Sequence, residues 1–101
     1  MPSLKKIIYI IGNMTAGDDN KYVSISEISS HIDDGEDFKV TSNRVRSTMK
    51  RYNNLLAVRK VGGRYKWRLN ANGKNYLSKF KDSFDPVTDM SVFEQKIAEV
   101  I

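Results

Sequence analysis

The side chains with the most specific chemistry in this sequence lie between Ser42 and Arg51. Asn43 and Arg46 each carry two hydrogen-bonding groups in one plane, the arrangement that can grip the edge of a base pair through paired bonds. Lys50, Arg44 and Arg51 carry charges on long stems, suited to phosphate oxygens on either wall of a groove. Ser42 and Ser47 are short enough to let a helix carrying them come close to a ligand. At helical spacing Asn43, Arg46, Ser47, Lys50 and Asn54 share one side, while Val45, Met49, Tyr52 and Leu56 share the opposite one. A solvated surface helix is also polar outside, but such helices usually intersperse acids among their lysines and arginines. This one has none.

The absence of acid extends far beyond that helix. From residue 39 to residue 81 there are 13 lysines or arginines and no aspartate or glutamate. The preceding 38 residues hold 3 basic and 7 acidic side chains, and the last 20 hold 1 and 5. The net charge of +5 therefore conceals a basic middle between acidic ends, which points to a face for a polyanion. Arg64 and Lys66 belong to the same stretch, beside Gly62-Gly63. A guanidinium at the tip of a glycine turn suits a narrow minor groove.

Other chemistries lack their parts. With no cysteine there is no thiolate nucleophile and no cysteine-ligated zinc, and His31 is the only histidine. The acidic run Asp33-Asp34-Gly35-Glu36-Asp37 lacks the ligand spacing of a calcium loop and reads as an exposed loop. Gly62-Gly63 lies between two strand-like runs and makes a turn, not a phosphate cradle. These readings predict no enzyme activity, no metal and no cofactor. The longest apolar run, Ile7 to Ile11, falls far short of the roughly 20 residues that span a bilayer, and it is too short for export. A cytoplasmic address is expected.

A chain of 101 residues suffices for one core. Leu4, Ile7, Ile8 and Ile11 recur at helical intervals and predict a first helix ending near Gly12. Tyr22-Val23 suits a short strand. Ser24 and Glu27 have the capping-box spacing for a second helix carrying Ile25, Ile28 and Ile32. Thr41 or Ser42 can cap the third, over 41–56. Ala57–Val61 and Tyr65–Leu69 form a hairpin, with Tyr65, Trp67 and Leu69 on a core-facing aromatic side and Lys66 and Arg68 on a cationic one. Asn70 caps a fourth helix with Tyr76, Leu77 and Phe80 inward. Ser91 and Glu94 begin a fifth, with Phe93, Ile97, Val100 and Ile101 as its apolar stripe.

This order, mainly α with one small β-hairpin, resembles the winged helix-turn-helix superfamily over residues 4 to 80. The most specific part runs from Thr41-Ser42-Asn43-Arg44-Val45 through Met49 and Tyr52 to Leu55-Leu56-Ala57-Val58-Arg59. It is similar to the recognition helix and first wing strand of small bacterial and archaeal regulators of the multidrug-resistance and arsenic-repressor types. Two features depart from that pattern: Leu56 stands where glycine is frequent, and the turn before the third helix, residues 33 to 40, is about twice the usual length. The resemblance implies an α+β fold in the order α, short β, α, α, β, wing, β, α, α, with residues 1–81 as the DNA-binding domain and 82–101 as a connector and terminal helix. It further implies a double-stranded DNA partner, with helix 41–56 in the major groove and hairpin 57–69 as the wing. A role in transcription regulation follows. Surplus apolar surface on the first and last helices predicts a homodimer through Ile7, Ile10, Phe93, Ile97 and Val100. The alternative is a winged-helix adaptor joining a replication or transcription assembly.

Overall fold

The computed structural model describes residues 3–84. The expected fifth helix, and with it Phe93, Ile97 and Val100, lies outside the described residues.

Ser3 caps the first helix, α1 (Leu4–Thr15), by accepting from the Lys6 amide. Its apolar stripe is wider than the helical spacing requires, because Ile10 is buried alongside Ile7, Ile8 and Ile11. The helix runs past Gly12 to Thr15, whose hydroxyl donates back to the Ile11 carbonyl. Ile7 and Ile10, expected at a contact with a second subunit, belong instead to the chain's own core. They are enclosed because α1 touches α2, α3, α4 and the hairpin.

The short second helix, α2 (Ile25–Ser29), begins with the full reciprocal capping box. Ser24 accepts from the Glu27 amide at 3.1 Å, and Glu27 reaches back to the Ser24 amide at 3.3 Å. Ile32 lies beyond the helix but still reaches the core.

The third helix starts a turn earlier than its sequence suggests. Asp37 is the cap, accepting from the Lys39 amide, and α3 runs Phe38–Arg51. Thr41 and Ser42 are therefore interior helical residues and not caps. The connection from α2 still spans eight residues, 30–37. The helix also stops earlier: Asn53–Leu55 form a single tight 3-10 turn, and Leu56 opens the first strand. The expected 41–56 helix is corrected to 38–51.

Strands β1 (Leu56–Val61) and β2 (Arg64–Leu69) pair antiparallel, Leu56 opposite Leu69 through to Val61 opposite Arg64. Only Gly62 and Gly63 connect them, with φ of +58° and +79°, left-handed values that glycine adopts without strain. On the other edge of β2, Val23 exchanges two 2.8 Å backbone hydrogen bonds with Trp67, so the expected short strand is reduced to one bridge.

The last described helix, α4 (Ala71–Phe80), is tied to this corner by Asn70. The Asn70 side-chain Oδ1 accepts from the Gly73 amide, and its Nδ2 donates to the carbonyls of Asn54 and Leu56. Gly73 is fixed by packing: a Cβ there would run into the Leu55 backbone carbonyl. The core gathers isoleucines from α1 and α2 with Val23, Val45, Met49, Leu55, Leu69 and Phe80. The architecture of the described residues is thus four α-helices with one two-stranded antiparallel hairpin. No helix among the described residues is long and apolar enough to cross a membrane.

Candidate nucleic-acid interface

One side of α3 is buried through Thr41, Val45 and Met49, which fixes the rotation of the helix. The opposite side then presents Lys39, Asn43, Arg46, Ser47 and Lys50, all exposed. Lys39 joins this stripe because the helix begins at Phe38. The signal for it was Asp37, a good capping residue hidden among three other acids.

Within the stripe Arg46 donates through Nη1 to Asn43 Oδ1 at 3.1 Å. The bond leaves the Nε and Nη2 edge of the guanidinium free to meet a base, and it restrains the side chain beforehand. Arg51 is exposed at the end of the helix, with its guanidinium 6.0 Å from the Tyr52 ring centre. Ser42 does not belong to this surface. It is half-buried, and its Oγ is enclosed with no hydrogen-bond partner among the described residues.

Arg44 leans the other way, toward the turn before α3. Its Nη1 lies 3.7 Å from Glu36 Oε1 and 4.0 Å from Asp34 Oδ2. Asp34, expected in an exposed loop, is nearly buried, with 11% of its side chain accessible. Its Oδ1 accepts from the Thr41 hydroxyl at 2.7 Å and from the Glu36 amide at 3.2 Å. Burial pushes this carboxyl up, but the Thr41 bond, the backbone amides and the Arg44 charge together outweigh it and hold its pKa below the ordinary carboxylate value. The acidic turn is folded onto the start of α3 by these contacts.

Residues opposite one another on the hairpin share a face. One face therefore carries Arg59, Arg64, Lys66 and Arg68, and the other carries Leu56, Leu69, Val58, Trp67, Lys60 and Tyr65. The cationic face is not uniformly open. Arg68 is only 7% exposed, donating to the Asp18 and Lys21 carbonyls and pairing with Asp19 at 3.5 Å. The alternation along β2 puts Arg68 on the face opposite Trp67 and Leu69, and the loop at 18–21 covers it there. Lys66 is half-buried and lies 3.9 Å from Glu27. Tyr22 sits between the guanidiniums of Arg59 and Arg68, 5.7 and 5.6 Å from its ring centre. Arg64 stands one position below the turn, opposite Val61, and not at its tip. Arg59 and Lys60, which the spacing did not single out, are exposed near it.

The acid-free segment thus divides. Arg44, Lys66, Arg68 and Lys74 pair with acids of the first 38 residues. Among the described residues, Lys39, Arg46, Lys50 and Arg51 on α3 and Arg59, Lys60 and Arg64 on the hairpin form no ion pair. The chain matches no protein-family model, no curated protein and no solved structure.

Proposed function

We propose that this chain binds double-stranded DNA as a winged helix-turn-helix protein acting in transcription regulation. In this reading α3 enters the major groove and the β1–β2 hairpin is the wing. The observation that carries it is the outer stripe of α3, where Lys39, Asn43, Arg46, Ser47 and Lys50 stand exposed with no acid among them. The element order supports the same reading, with Val23 bridged to the free edge of β2 as a rudimentary third strand.

Arg46 and Asn43 act as a unit on base edges: the bond between them aims the remaining guanidinium edge at a guanine, whose O6 and N7 accept a bidentate pair. Lys39, Lys50 and Arg51 neutralise phosphates, and Arg59, Lys60 and Arg64 do so beneath the wing. Arg44 and Lys66, held by acids, contribute less. A mobility-shift selection on random duplexes, repeated across a salt series, tests the proposal. A retained sequence motif is expected, with affinity falling by a log–log slope of about −0.9 per neutralised phosphate. Failure to retain any duplex at low salt overturns it.

A further inference from the structure

Tyr65 was expected in the core, and it is 57% exposed. Burial falls steadily along its face of β2, from enclosed Leu69 through half-buried Trp67 to Tyr65, because the hairpin extends past the helices beneath it. The ring is nevertheless held. Trp67 abuts it with centres 6.4 Å apart and planes tilted by 44°, and the cross-strand Lys60 ammonium lies 5.6 Å from its centre. Val58, 58% exposed, continues the same apolar patch. Lys60 shares this face, Arg59 and Arg64 stand on the reverse face of the same two strands, and the hairpin sequence contains no acid.

A fixed aromatic ring left in water, on an acid-free hairpin with cations on both faces, fits a flat apolar partner that brings negative charge with it. An apolar protein surface supplies no counter-charge for Lys60 or for the arginines behind it. A nucleobase supplies a π-face and a phosphate together. Bases inside a duplex already stack on their neighbours, so the partner must be unpaired. Resting on the DNA-binding reading above, we infer that Tyr65 is a stacking site for an unpaired base, and that the protein prefers duplex ends or gaps bearing a single-stranded extension over continuous duplex.

Fluorescence anisotropy with the full chain tests this on three DNAs of one duplex sequence: blunt, with a short single-stranded overhang, and with an abasic overhang of equal length. The overhang carrying bases should bind about tenfold more tightly than the blunt duplex, the order expected of one stacked base, and the abasic overhang should bind like the blunt duplex. Tyr65→Ala should remove the preference while leaving blunt-duplex affinity within about twofold, and Tyr65→Phe should keep it, because stacking does not use the hydroxyl. Blunt-duplex binding without an overhang preference overturns this inference alone. An abasic overhang that binds as well as the normal one also overturns it, since phosphates then account for the gain. Retention of the preference by Tyr65→Ala does the same. If no duplex is bound at all, the DNA-binding reading falls and takes this one with it.

Discussion

Arg46 and Arg68 come from the same acid-free segment, and their surroundings are opposite. Arg46 lies exposed on the outer face of α3 and, among the described residues, hydrogen-bonds through its guanidinium to Asn43. Arg68 is enclosed beneath the loop at 18–21 and bonded to two carbonyls and a carboxylate. The first turns most of its donors outward, and the second has committed three of its hydrogen bonds to the fold. Sequence composition treats the two alike, but contacts 47 to 50 residues apart in the chain separate them. A basic segment is therefore not a basic surface. Part of its charge anchors the acidic N-terminal third, and only the remainder is offered to a ligand.

Substitution separates the two roles. Arg68→Ala should cost about 2 kcal/mol in urea denaturation, since several hydrogen bonds made by a buried cation are lost at once. The folded fraction should bind DNA within about twofold of the parent protein. If instead stability is kept and affinity collapses, Arg68 belongs with the ligand-facing cations and the division fails.

Arg46→Ala should do the reverse. Stability is expected to change little, while affinity for the selected sequence drops by about 1 to 2 kcal/mol and affinity for unrelated duplexes barely moves. Lys50→Ala and Arg64→Ala should weaken all sequences evenly, each lowering the salt slope by about 0.9. Comparing the three variants on selected and random duplexes in parallel sharpens the contrast between base reading and phosphate contact within the exposed set.

How far the sequence exposes this division depends on how local its causes are. The capping box at Ser24, the glycine turn at 62–63 and the Asn70 cap are decided by residues a few positions apart, and all three appear in the structure. The inward stripe of Val45 and Met49 was legible for the same reason. The start of α3 was not, because Asp33, Asp34, Asp37, Thr41 and Ser42 can each cap a helix, and tertiary contacts from Thr41 and Arg44 select among them. Arg68 and Tyr65 failed in opposite directions. A two-residue period places side chains on faces, but it does not reveal that a loop covers one face or that the hairpin outruns its support on the other.

The turn before α3 offers a smaller test on the structural side. Thr41→Val keeps the volume of a buried side chain and removes its bond to Asp34, at a cost of about 1 kcal/mol near neutral pH. Because the folded state holds the Asp34 pKa below its unfolded value of 3.8, the stabilisation is complete above that value. It is lost as pH falls through the depressed folded pKa. The variant's carboxyl titrates closer to the ordinary value, so the gap between the two proteins should narrow as acid is added below pH 3.8. A gap independent of pH would assign the loss to packing of Thr41 and not to the carboxylate.

Arg44 lies on the boundary between the two sets, and it yields the smallest effect. Its guanidinium is about one-third exposed and nearer to Glu36, itself about half exposed, than to Asp34. An exposed pair of this kind contributes between about 0 and 1 kcal/mol, so Glu36→Gln should leave the turn folded through Asp34 and Thr41. It should loosen Arg44 enough to reach a phosphate beside α3. Affinity at low salt should then rise about twofold, through the added contact and the removal of one negative charge near the DNA, and the gain should vanish at high salt. The double variant with Arg44→Ala separates those two causes. If the gain disappears with Arg44, this residue is a phosphate ligand held in reserve by Glu36. If the gain survives, Arg44 serves only to fasten the turn and belongs beside Arg68.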